Sequence, residues 1–320
     1  SFPTRRSSDL FIEKEITPFY SEWEDEGIVP KSVWLKAGQE GLLNPMLPEP
    51  FGGGGDFGHS AVLIEEFGRA NCPGVGFPLH SDIVSPYIYA YGSEEQRNKW
   101  LPKMASGELI GSIAMTEPGT GSDLKSVRTT AVREGDHYVI NGRKWLITGA
   151  EGSSYAIIMA GMEDGSATMF LSDMDREGIT LVRNLDAMDA CFSGGHGVVD
   201  FKNLRVPAAD ILGEPGKGFR YAQVRLAPAR LTHCMRWLGQ ARRAQSPGQA
   251  GRIHLGTGER LGNDSRQGWI GELQRRDVDR NAHHARQVQS SWIDRRVGYW
   301  VPITCHTLVE ADLRGLDDWR

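Results

Sequence analysis

The sequence predicts an α+β protein with an N-terminal helical domain, a middle antiparallel β domain and the start of a C-terminal helical bundle. Three observations carry this. Apolar residues recur at three- and four-residue spacing over residues 11–110. From about residue 111 the texture changes to short strand-like runs parted by turn residues. Helical spacing then returns from Gly216 to Ala244. The divisions fall at 11–110, 111–212 and 213–245, and 320 residues are ample for two or three such units.

Taken in order, the first helical stretch carries Phe11, Ile12, Ile16, Phe19 and Trp23, with Pro18 expected to kink it because proline has no N–H to donate. Lys31 to Glu40 repeats the pattern through Val33, Trp34 and Ala37 before Gly41 ends it. Gly52–Gly55 is a loop, since four successive glycines are costly to order. A helix follows over Ser60–Ala70, and Ser93 with Gln96 forms a capping box that starts another. Strands are expected at 127–133 and 137–141, with Asn141-Gly142 read as a hairpin turn. Further strands are expected at 155–160, 167–171, 179–183 and 197–201, with Arg205-Val206-Pro207 closing the region. The last helix places Phe219, Ala222, Leu226, Leu231, Met235 and Leu238 on one side, and Pro228 is expected to break or kink it.

Two flanking segments stand apart. Residues 1–10, SFPTRRSSDL, match the translation of a widely used sequencing adapter and are set aside as an artefact. Residues 246–320 hold 11 Arg and no Lys, whereas residues 1–245 hold 16 Arg and 9 Lys. Glycine is frequent there and helical periodicity is lost, which reads as a frame shift near Ala244.

A net charge of -5 offers no basic stripe, so nucleic acid is not an expected partner. No apolar run approaches the roughly 18–20 residues that span a bilayer. Cys72, Cys191, Cys234 and Cys305 lie far apart without a CxxC pair, which argues against a disulfide frame or a metal site and for a reducing, cytoplasmic setting.

Chemistry concentrates in Ile113–Asp123, where two glycines, a proline and flanking hydroxyls make a tight turn with exposed backbone N–H groups. Such a turn suits a pyrophosphate, although taken alone it more often marks a plain surface turn. A GxGxxG fingerprint is absent and a β region follows, so this is no Rossmann loop. The second stretch, Asn141–Ala150, reads as a strand ending in a hydroxyl.

Together with Pro48–Gly53, Gly92–Gln96, Asn203–Pro207 and Leu231–Gly239, all in order, these stretches resemble the acyl-CoA dehydrogenase family, including a branch with a His-Cys-Met-Arg run like His233–Arg236. The resemblance covers residues 11–245. It implies bound FAD, with Met115 and Thr116 at the flavin pyrimidine edge, Gly121 and Ser122 at the pyrophosphate, and Leu146, Ile147 and Thr148 beside the isoalloxazine, Thr148 facing N5. It also implies contacts from Ser122 and Arg230 to acyl-CoA. Relatives often carry Trp at the position of Leu146, whereas here Trp145 stands one residue earlier.

The implied reaction is α,β-dehydrogenation of an acyl-CoA thioester to the trans-2-enoyl-CoA, with electrons passed to an electron-transferring flavoprotein. A carboxylate base is needed for the α-proton, and none is legible: residues 246–320 show no suitable surroundings, and Ala229 stands where some relatives carry it. The chain itself is therefore expected to be unstable or inactive, and without the rest of the bundle an apolar face of residues 216–244 should be exposed. Its intact parent would be a homodimer or homotetramer. Acyl-CoA oxidase, or a non-catalytic flavin- or acyl-CoA-binding protein, are the alternatives.

Overall fold

A computed structural model describes residues 5–187, 192 and 194–245. The expectations for residues 1–4 and 246–320, and for Cys191 and Cys305, lie outside the described residues. Helix α1 (Arg5–Phe11) runs into a π-helical turn at Ile12–Ile16, and α2 begins only at Tyr20 (Tyr20–Glu26). The interruption spans Pro18, whose missing N–H cannot continue the ladder. Within the segment set aside on sequence grounds, Ser8 is buried and Asp9 pairs with Arg69 at 3.1 Å.

Helices α3 (Lys31–Gln39), α4 (Phe57–Ala70), α5 (Ser85–Tyr91) and α6 (Glu94–Ala105) complete the N-terminal layer. Its core gathers Ile12, Ile16, Trp34, Phe67 and Phe77. The capping box at α6 forms as expected, Ser93 Oγ accepting from the Gln96 amide at 3.1 Å and Gln96 Oε1 from the Ser93 amide at 3.0 Å. The same Gln96 side chain donates to the carbonyls of Ala209 and Ile211, tying the helical layer to the chain that leaves the sheet.

Among the described residues the sheet has seven strands: β1 (Gly111–Ala114), β2 (Thr130–Glu134), β3 (His137–Thr148), β4 (Tyr155–Gly161), β5 (Ala167–Asp173), β6 (Ile179–Asn184) and β7 (His196–Pro207). Their order is β1-β4-β2-β3-β7-β6, with β5 also on β4. The pairings β2–β3, β3–β7, β4–β5 and β6–β7 are antiparallel as expected, and the expectation is corrected at one side, where β1 runs parallel to β4 and β2 meets β4 in parallel at Thr130 and Gly161. Sequence periodicity reports which residues face inward but says nothing of strand direction. Along β4, Tyr155, Ile157 and Met159 face a core shared with α5 and α6, while Ala156, Ile158 and Ala160 face a second core with Tyr138, Phe170 and Val199. Both faces are covered, so β4 reads as one unbroken apolar run.

The Asn141-Gly142 hairpin turn is also corrected. The turn between β2 and β3 is at Gly135, φ +65°, and β3 passes straight through Asn141-Gly142 with a bulge between Ile140 and Gly142. Gly142 is needed for close approach: a Cβ there would lie 2.6 Å from Thr129 Cα.

Helix α7 (Gly218–Gln245) is unbroken over 28 residues, so Pro228 does not end it. A single missing hydrogen bond is carried by the turns on either side. Ala222 is buried and Phe219, Leu231, Met235 and Leu238 are half-buried, while the Leu226 side chain lies outside the described residues. The expected exposed apolar face is modified by α4, which packs directly on α7: a Cβ on Gly239 would lie 2.1 Å from the Glu65 carbonyl oxygen, and one on Gly68 would lie 2.5 Å from that of Arg236. Glu65 and Arg242 form an ion pair across this crossing. Trp237 remains 67% exposed.

Candidate functional site

Strand β1 delivers Met115 and Thr116 at its end, and the chain then makes a tight turn closed by reciprocal bonds between Glu117 and Thr120, at 2.9 and 3.0 Å. Thr120 Oγ1 donates to the Ser126 carbonyl at 2.9 Å and pins the far side of the loop. Between these anchors Pro118, Gly119, Gly121, Ser122 and Asp123 are exposed. Among the described residues the amides of Gly121 and Ser122 take no partner, and nothing lies within 4 Å of a Cβ built on Gly121. This is an open, backbone-lined cradle compatible with a phosphate.

The second stretch lies alongside. The Trp145 amide donates to the Thr116 carbonyl at 2.9 Å. Lys144 Nζ donates to the Met115 carbonyl and to Glu117 Oε1, both at 2.9 Å, with the Lys144 and Glu117 side chains essentially out of solvent. Glu117 also accepts from the amides of Arg128 at 2.7 Å and Thr129 at 3.0 Å. Burial pushes its carboxyl up, but hydrogen bonds from Thr129 and Lys144 and the Lys144 charge outweigh that and hold it below its usual value. Burial pushes the Lys144 amine down, against the opposing pull of Glu117. Neither residue was singled out from the sequence. The legible signal was a lysine at an inward position of β3, two residues beyond Gly142 and four beyond buried Ile140.

A second bulge on β3, between Lys144 and Ile147 in the pairing with β7, resets the alternation. Lys144 and Ile147 both point inward, while Leu146 takes a left-handed backbone, φ +58°, and is 49% exposed. Ile147 is 1% exposed in the sheet core, so any contact it makes with a ligand is through its backbone. Thr148 is half-buried, its Oγ1 2.9 Å from Nδ1 of His196, another residue the sequence reading missed. The sequence expected site residues on both stretches, and the structure brings Met115, Thr116 and the 146–148 strand together. Arg230 sits exposed on α7. Two surface clefts, of about 280 and 250 Å³, lie elsewhere: one beside Arg133 and Ser166, the other beside Glu151 and Met174. Among the described residues no helix is long and apolar enough to cross a membrane.

Helices feeding a mixed sheet, with a polar loop clamped to a bulged strand, define an α+β scaffold. Models of the acyl-CoA dehydrogenase N-terminal and middle domains match residues 4–108 and 112–203. The long-chain specific acyl-CoA dehydrogenase, mitochondrial, of Mus musculus is 42% identical over 234 residues, covering 71% of this chain and 54% of the relative. The chain thus spans about half the length of the first curated relatives it matches. A solved acyl-CoA dehydrogenase from Geobacillus kaustophilus is similar with a TM-score of 0.76 at 34% identity, over 89% of this chain and 77% of that one. One from Bacillus anthracis, solved in complex with FAD, gives 0.69 at 32% identity, over 75% of this chain and 42% of that one. The chain belongs to the acyl-CoA dehydrogenase family.

Proposed function

We propose that this chain supplies the flavin-contact half of an FAD-dependent dehydrogenase that converts an acyl-CoA thioester to the trans-2-enoyl-CoA. The observation that carries the reading is the junction of the two stretches, Trp145 amide to Thr116 carbonyl and Lys144 to Glu117. It joins the loop that carries Gly121 and Ser122 to the strand that leads into Leu146–Thr148, which supports an extended dinucleotide over a small anion. Met115, Thr116 and Thr148 would meet the flavin, Gly121 and Ser122 the pyrophosphate, and Ser122 and Arg230 the acyl-CoA. When bound, FAD supplies the hydride acceptor. The chain's own part is to hold it, turn its reactive edge toward the thioester and keep the loop from shifting.

A carboxylate base is required as well, and no described residue is assigned to it. The rest of the C-terminal helical bundle, a homodimeric or homotetrameric parent and an electron-transferring flavoprotein as electron acceptor belong to the same proposal. So does cytoplasmic residence, argued from the separated cysteines. The test is titration of the purified chain with FAD, read by quenching of flavin fluorescence, followed by a saturated acyl-CoA. Binding, weakened in Ser122→Ala and Thr148→Val, is expected, with a perturbed flavin spectrum but no bleaching on adding the thioester. Absence of flavin binding would overturn the reading, and bleaching would show that this chain carries its own base.

A further inference from the structure

We propose that His196 is a positioning residue that sets the Thr148 hydroxyl, and that its two neutral tautomers let this hydroxyl either donate to or accept from a ring nitrogen of the bound flavin. The inference rests on the reading above that Thr148 faces the flavin.

The geometry is that of a cross-strand pair. Thr148 and His196 stand opposite each other at the end of the β3–β7 ladder, beyond the bulge that turns Leu146 outward. Thr148 Oγ1 and His196 Nδ1 are 2.9 Å apart. The His196 backbone is fixed from both sides: its carbonyl accepts from the Leu185 amide at 2.9 Å, and the neighbouring Gly195 carbonyl accepts from the Gly149 amide at 2.8 Å. Its ring lies against Phe192, centroids 5.2 Å apart. The imidazole is therefore held where only one of its nitrogens meets the hydroxyl.

A hydroxyl has one proton to give and two lone pairs to receive with. If Nδ1 carries hydrogen, Thr148 accepts from His196 and its own proton is available to a nitrogen that accepts, as N5 of oxidised flavin does. If the hydrogen sits on Nε2, Nδ1 accepts the Thr148 proton, and the oxygen can receive from a nitrogen bearing hydrogen, as N5 of reduced flavin does. Passing between the two moves one proton off Nδ1 and one onto Nε2, with no change of charge and no electrons. A valine could meet neither demand, and with His196 opposite, the Thr148 hydroxyl keeps both a donor and an acceptor partner in each state.

The test is nitrogen NMR of the chain carrying ¹⁵N-labelled histidine, recorded apo, with FAD, and with FAD reduced by dithionite. The Nδ1–H tautomer of His196 is expected with oxidised FAD and the Nε2–H tautomer after reduction. The switch should be lost in Thr148→Val and kept in Thr148→Ser. His196→Leu is expected to weaken FAD binding about tenfold, the scale of one lost hydrogen bond, while His196→Asn, whose amide can stand at Nδ1, stays within about twofold. If His196→Leu fails to fold, the two Thr148 variants still decide the matter. The same tautomer in both redox states with FAD bound would overturn the proposal. Failure to bind FAD at all would instead remove the reading beneath it, and the proposal with it.

Discussion

Lys144 Nζ lies 2.9 Å from Glu117 Oε1 with both side chains essentially out of solvent, and this contact is one of those that join two sequence stretches 27 residues apart. A buried pair of this kind is not in itself strongly stabilising, because desolvating both charges offsets most of their attraction. Its consequence is geometric: it fixes the loop after β1 against the bulged end of β3.

Removing one partner should therefore be costly. Lys144→Met leaves the Glu117 carboxylate buried without its counter-charge, and a loss of about 3–5 kcal/mol is expected in urea unfolding. Replacing both residues by apolar ones should not restore stability, because the amides of Arg128 and Thr129 also lose their acceptor. A double variant as stable as the wild type would show that these amides find other partners.

The crossing of α4 and α7 depends on the absence of a side chain at Gly239. A Cβ there would meet the Glu65 carbonyl oxygen at 2.1 Å, and backbone cannot rotate out of the way as a side chain can. Gly239→Ala should cost at least about 1–3 kcal/mol despite alanine's better helix propensity. Thermal melts of the two proteins at one concentration decide it, and an unchanged midpoint would mean that α7 does not sit on α4 this closely in solution.

Leu146 offers the opposite sign. Its left-handed backbone costs roughly 1–2 kcal/mol for a residue with a Cβ, and its side chain is half-exposed, so little packing is at stake. Leu146→Gly should be neutral or stabilising by about 1 kcal/mol in denaturant titration. Destabilisation by 2 kcal/mol or more would mean that the leucine side chain is anchored in the fold.

His80 makes the fold sensitive to acid. Its ring accepts from the Gly111 amide at Nδ1, 3.2 Å, and lies 3.1 Å from the Met104 carbonyl through Nε2, which suits the neutral Nε2–H form. Burial pushes its pKa down to about 4 from 6.5. Between those values the unfolded chain binds a proton that the folded chain refuses. This contribution is complete above pH 6.5 and is lost as pH falls toward 4, up to roughly 3 kcal/mol. Asp82 works the other way, its pKa raised by burial to about 7 from 3.8, so its contribution is complete below pH 3.8 and lost as pH rises toward 7. Between about pH 4 and 6.5 the two slopes oppose each other, so Asp82→Asn should expose the fall in stability toward acid that His80 causes, whereas His80→Gln should leave stability rising as pH falls. Equal slopes in His80→Gln and wild type would refute the assignment.

Much of the local structure was legible because its causes are local. Ser93 and Gln96 cap α6 from three residues apart, Pro18 interrupts its own helix, and β4 shows its burial in its own apolar run. Where the reading failed, a local signal met a non-local constraint. Asn141-Gly142 has turn chemistry, yet β7 pairs across it and Thr129 presses on Gly142, so the chain stays extended. Pro228 sits in a helix long enough to absorb it.

The sequence by itself determined most of the element types, the loop at Thr116–Asp123, the strand ending in Thr148 and, through their order, the family. Only the tertiary structure decided that β1 runs parallel to β4, that Glu117 meets Lys144, and that Thr148 meets His196 across 48 residues of chain. Periodicity and capping act within a few turns and leave their mark on neighbouring letters. A cross-strand partner is chosen by sheet order and register, which emerge only when several elements are packed at once.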